Sequence, residues 1–114
     1  MESQVLVEVI LSALKERKAF DIVKINVCEK TTIADYFVVA SARSSTQVKS
    51  LSEHIEEAVE KAGGTLLRRE GIQDARWIVL DFGDVIVHLF NDETRLFYHL
   101  ERLWGEGEKI SNPL

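Results

Sequence analysis

Apolar residues along this chain follow two periods in turn. Between residues 3 and 17, Leu6, Ile10, Ala13 and Leu14 fall at helical spacing, with Glu8, Lys15 and Glu16 off that stripe. Such spacing marks one face of a helix, and Ser3 is its expected N-cap. The period then shortens to two. Residues 21–27 (Asp-Ile-Val-Lys-Ile-Asn-Val) alternate and are rich in β-branched side chains, predicting a strand with Val23, Ile25 and Val27 inward. Residues 35–41 (Asp-Tyr-Phe-Val-Val-Ala-Ser) are apolar in succession after the first. That predicts a strand buried on both faces, in the middle of a sheet.

The clearest helical stripe is Val48, Leu51, Ile55, Ala58, Val59 and Ala62, which predicts a helix over 45–62. Ser44 and Gln47 have capping-box spacing, and Gly63-Gly64 supplies the left-handed positions that end a helix. Glu53, Glu56, Glu57 and Glu60 lie on its outer face: either a solvated surface or an acidic docking face. A short strand is expected at 65–69 and a loop from Gly71 to Ala75. Two strands, 76–82 and 85–90, are joined by a tight turn at Gly83-Asp84, which is a hairpin signal. Asn91 is a candidate cap for a last helix carrying Leu96, Leu100 and Leu103 and ending at Gly105; residues 106–114 read as a polar, flexible tail. The order α-β-β-α-β-β-β-α predicts a single α+β domain over residues 1–105. Its mixed sheet has about five strands flanked by helices and contains one parallel crossover.

Composition narrows the chemistry. At 114 residues there is room for one core. Fourteen Lys and Arg against 19 Asp and Glu give a net charge of -5. Binding to a phosphate backbone is driven by basic residues releasing counterions, so this balance suits a basic partner better than direct contact with nucleic acid. Cys28 is the single cysteine, which excludes an internal disulfide and a multi-thiolate zinc site. It reads as a small residue at a strand end. The longest apolar run, 36–40, is too short to cross a bilayer, and charges interrupt any signal-peptide core near the start. A cytoplasmic protein is expected. His54, His88 and His99 form no short-spaced ligand pair with one another or with Cys28, and no metal is expected. Asp35, Asp81 and Asp84 could converge to hold a divalent ion for nucleotidyl or phosphoryl transfer, but aspartates also favour turns and strand ends for local reasons. No glycine-rich loop opens a helix, so no phosphate fingerprint is present.

Trp77, Phe90, Phe97, Tyr98 and Trp104 crowd into 28 residues. Trp77 and Ile78 are adjacent on a predicted strand and must point to opposite faces. Both are buried only if the sheet is covered on both sides or a partner covers one. The aromatic set is thus either core or an interface hot spot.

The same residues carry a family likeness. Asp-Tyr-Phe-Val-Val-Ala-Ser at 35–41, Glu70-Gly71, Trp77, the run from Leu80 to Phe90 and the run from Arg95 to Trp104 together resemble the ribosomal silencing factor family, the Iojap-like proteins, over roughly residues 3 to 105. The resemblance implies a nucleotidyltransferase-like fold without the catalytic motif; Phe37 stands two residues after Asp35, where that motif has a second acid. It implies no cofactor. It implies binding to the large ribosomal subunit through its protein L-fourteen, which blocks joining of the small subunit and represses translation, with little nucleic-acid contact and a homodimer available off the ribosome. On this reading Trp77 and Ile78 are apolar anchors. Asp81, Asp84 and Glu101 face basic partner residues, with His88 and Tyr98 as further candidates. Arg68-Arg69 before Glu70, and Ala42 after Ala-Ser, depart from the family pattern.

Overall fold

The first helical stripe forms α1 (Ser3–Glu16) in the computed structural model, which describes residues 1–92 and 108–109. Its buried face is Leu6, Val7, Ile10, Leu11, Ala13 and Leu14. Ser3 is the first helical residue and not the cap: Glu2 occupies the cap position and makes no side-chain bond there. The second stripe forms α2 (Ser45–Lys61). Ser44 Oγ accepts the Gln47 amide at 3.1 Å, and Gln47 Oε1 accepts the amide of Arg43 at 2.9 Å. The Gln47 amide in the first turn, which has no intrahelical carbonyl to meet, and the amide of Arg43 just before the cap are thereby satisfied. At the other end the Gly63 amide bonds the Glu60 carbonyl and the Gly64 amide the Val59 carbonyl, with Gly63 at φ +95°. This pair of backward bonds is the glycine-terminated cap that the double glycine predicts.

Five longer strands follow the expected pattern: β1 (Phe20–Asn26), β2 (Tyr36–Ala42), β3 (Arg68–Glu70), β4 (Trp77–Asp81) and β5 (Val85–Asn91). A two-residue strand, β6 (Glu108–Lys109), pairs antiparallel with Val23 and Lys24 of β1. Sequence placed these two residues in the tail. The sheet order is β3-β4-β5-β2-β1-β6. β2 and β5 run parallel, and the other neighbours are antiparallel. The crossover through α2 therefore returns the chain to β3, and β4 and β5 fill the space back to β2. The β4–β5 hairpin closes with the Phe82 amide on the Val85 carbonyl at 3.0 Å, and Gly83 takes φ +90°. A glycine first in a two-residue turn suits the right-handed twist of the strands. β3 starts later than predicted because Leu67 is still in the approach, its amide bonded to the Asp81 carbonyl at 2.8 Å and its side chain exposed.

The sheet has two different faces. α1 and α2 pack on one, with Ile22, Val38, Ala40, Ile78, Leu80, Val85, Val87 and Leu89 beneath them. The opposite face gathers a second cluster: Val23, Ile25, Val27, Phe37, Val39, Ile86 and Phe90, with Trp77 and Val79 packed against it. The alternating residues of β1 thus point inward to the second cluster, away from the helices. β2 is buried on both faces, as its continuous apolar run requires. Among the described residues no helix is long and apolar enough to cross a membrane.

Candidate functional site

Adjacency on β4 decides the roles of Trp77 and Ile78. Ile78 points to the helix-covered face and is fully buried in that core. It has no surface to offer, so its assignment as a partner anchor is corrected: alternation sends it under α1 and α2. Trp77 points the other way and is half-buried against the second cluster. β4 and β5 pair with Trp77 opposite Phe90 and Val79 opposite His88. Trp77 and His88 are consequently diagonal neighbours on one face, within reach for large side chains.

Four rings assemble there. The Trp77 indole stacks on Phe90 with centroids 5.0 Å apart and planes 28° from parallel. Its Nε1–H donates to His88 Nδ1 at 3.1 Å. The imidazole meets Phe37 edge-on at 5.4 Å. Phe37 comes from β2, where the parallel register sets Phe37 beside Ile86 and Val39 beside His88. Burial pulls the His88 pKa down to about 4, because a charged imidazole would lose its hydration without gaining a counter-charge. The ring is therefore neutral, and a neutral imidazole that accepts at Nδ1 carries its proton on Nε2. The sequence groups Trp77 with Phe90 as aromatics and offers His88 as a separate candidate, but it does not single out Phe37. Pleat parity alone puts 37, 39 and 41 on one face; only the β2–β5 pairing says whose neighbours they are.

The acids stand at the hairpin end of the sheet. Asp81 Oδ1 accepts the Gly83 amide at 2.8 Å, which braces the turn. Asp84 is exposed, and its backbone carbonyl accepts the amides of Asp35 and Tyr36 at 2.8 and 3.1 Å. Asp35 and Asp84 share a surface cleft with Glu2, Asn26 and Cys28. No group of three or more His, Cys, Asp or Glu among the described residues is placed to hold a metal ion, so Asp35, Asp81 and Asp84 do not converge as transfer chemistry requires. Cys28 is exposed just past β1. His54 reaches Glu16 on α1 at 3.1 Å. Tyr98, His99, Glu101 and the expected last helix lie outside the described residues.

On the outer face of α2 the acids are partly matched. Arg69 of β3 lies 3.0 Å from Glu56, and Lys61 lies 2.9 Å from Glu57. Burial raises the Glu56 pKa above its usual value, and Arg69 opposes that shift.

Two helices on one face of a mixed sheet, with an aromatic cluster spanning three strands on the other, define a small α+β domain. The chain belongs to the ribosomal silencing factor family: the family model described as "Ribosomal silencing factor during starvation" matches residues 1–113. The ribosomal silencing factor of Zymomonas mobilis is 38% identical over 113 residues, spanning 99% of this chain and 85% of that one. That of Bacillus subtilis is 31% identical over 107 residues, spanning 94% and 91%. A crystal structure of a Chromobacterium violaceum protein superimposes with a TM-score of 0.90 at 32% identity, covering 100% of this chain and 94% of that one.

Proposed function

We propose that this protein is a ribosome-associated repressor of translation, acting in the cytoplasm by binding the large ribosomal subunit through ribosomal protein L-fourteen and sterically blocking the small subunit. The observation that carries this reading is the family match across residues 1–113. Curated relatives similar over nearly the whole chain are named ribosomal silencing factors. Such an action is regulatory and needs no bond-making chemistry. A rigid body seated on an interface excludes the other subunit by its volume. The acidic balance of -5 suits docking on a basic protein within an RNA-rich particle.

On this reading Trp77 is the apolar anchor and Asp84 a rim charge facing Arg or Lys. Asp81, already bonded to the turn, shapes the hairpin tip beside it. Tyr98 and Glu101 are further candidates for contacting the partner, and a homodimer forms off the ribosome. Loss of a rim acid changes chiefly the association rate and its salt dependence. Asp84→Asn therefore slows binding at low salt and matters less at high salt. The test of the function is reassociation of purified subunits, followed on a density gradient with and without saturating protein. A fall in joined ribosomes is expected; an unchanged yield rejects the proposal.

A further inference from the structure

We propose that His88 is a positioning residue, which presents the Trp77 indole to the partner by accepting its N–H at Nδ1. This rests on the reading of Trp77 as the anchor. Two contacts define the indole's placement. Stacking on Phe90, at 5.0 Å and 28°, fixes the plane of the ring. The bond to His88, at 3.1 Å, fixes the rotation within that plane. Together they leave the two side-chain torsions of Trp77 little freedom. An aromatic side chain ordered before binding loses less entropy on docking, so pre-organisation appears directly as affinity.

The surroundings of His88 explain why a polar ring stands there. It faces Phe37 edge-on and lies 6.5 Å from Phe90. It shares a face with Ile86 and Phe90 of its own strand and Val79 of the next. A leucine would satisfy the packing without a desolvation cost. An imidazole among aromatic rings is costly unless it is hydrogen-bonded, and an indole N–H can donate but never accept. Neutral His88 supplies the missing acceptor. The antiparallel register brings the two together: Val79 faces His88, so Trp77 lies one diagonal step away.

The experiment uses the full chain in a Trp104→Phe background, so that Trp77 gives the sole indole signal. His88→Leu removes the acceptor. His88→Asn restores one, since its Oδ1 takes the position of Nδ1. Large-subunit affinity is measured by cosedimentation, folding by thermal melt, and the bond by the indole N–H resonance. His88→Leu should move that resonance upfield and weaken binding about tenfold, the scale of one side chain left to be ordered on docking. His88→Asn should retain the downfield resonance and bind within about twofold of the parent. In a Trp77→Phe chain, which has no N–H, His88→Leu should weaken binding no further. Folded His88→Leu that binds like the parent, while Trp77→Ala binds poorly, overturns the positioning role and leaves the anchor standing. Trp77→Ala that binds like the parent overturns both through the anchor. If His88→Leu does not fold, His88→Gln, whose oxygen lies one bond further out, replaces it; equal affinity of the Gln and Asn variants then overturns the proposal.

Discussion

Gly71 lies directly against the backbone carbonyl of Trp77. A β-carbon on Gly71 would overlap that oxygen, and the residue holds φ +82°. Its own carbonyl accepts the Ala75 amide at 2.8 Å, closing the loop that delivers β4. Gly71→Ala should therefore cost about 3 kcal/mol, from the left-handed backbone and the displaced carbonyl together. Gly63 offers the control. Its φ is +95°, but nothing lies within 4 Å of an added β-carbon. Gly63→Ala should cost only about 1 kcal/mol. Chemical denaturation of both variants checks the difference; equal losses would mean that contact with Trp77 contributes nothing.

Stability should fall on acidification through His88. Its folded pKa of about 4 lies below the 6.5 of a free imidazole, so the unfolded chain binds the proton more readily. Stability is then full above pH 6.5 and declines as the pH drops towards 4. The shift corresponds to about 3 kcal/mol across that window. Carboxylates titrate near the lower end, so the comparison is wild type against His88→Asn. The two stability curves should diverge between pH 7 and 4; parallel curves would show that His88 is not held neutral by burial.

Trp77 and Ile78 should separate binding from stability. Ile78 is fully buried under the helices, and Ile78→Ala should lose about 3 kcal/mol of stability. Its folded fraction should keep partner affinity. Trp77→Ala should weaken large-subunit binding by about 2 kcal/mol or more. Thermal melts and cosedimentation on the same samples distinguish the two losses. Reduced affinity of folded Ile78→Ala would restore Ile78 to the interface.

Ser44 caps α2 through its bond with the Gln47 amide. Ser44→Ala should cost about 1 kcal/mol, and Ser44→Asp should recover most of it. The melting temperature reports both. No loss in the alanine variant would mean that water replaces the cap without penalty.

The elements were legible because each depends on local pattern. α2 announces itself by an apolar stripe, a Ser44–Gln47 start and a double-glycine stop. The Gly83-Asp84 turn follows from what φ +90° demands of a residue. Less legible was β6, because two residues pairing with Val23 and Lys24 need only backbone groups and leave no side-chain signal. The site was half legible. Trp77 and His88 were both singled out, yet nothing in their 11-residue separation gives the 3.1 Å bond between them.

By itself, the sequence determined α1, α2, the strands β1 to β5, the hairpin and the family likeness, since periodicity and glycine conformation act over a few residues. It also determined that Trp77 and Ile78 oppose one another, because a pleat allows nothing else. Only the tertiary structure decided which of the two goes under the helices. That choice depends on which sheet face α1 and α2 cover, and the α2 crossover and strand pairing set it. The same pairing brings Phe37 from β2 and His88 from β5 to the Trp77 side. Long-range register is a property of the assembled sheet, and no single strand carries it.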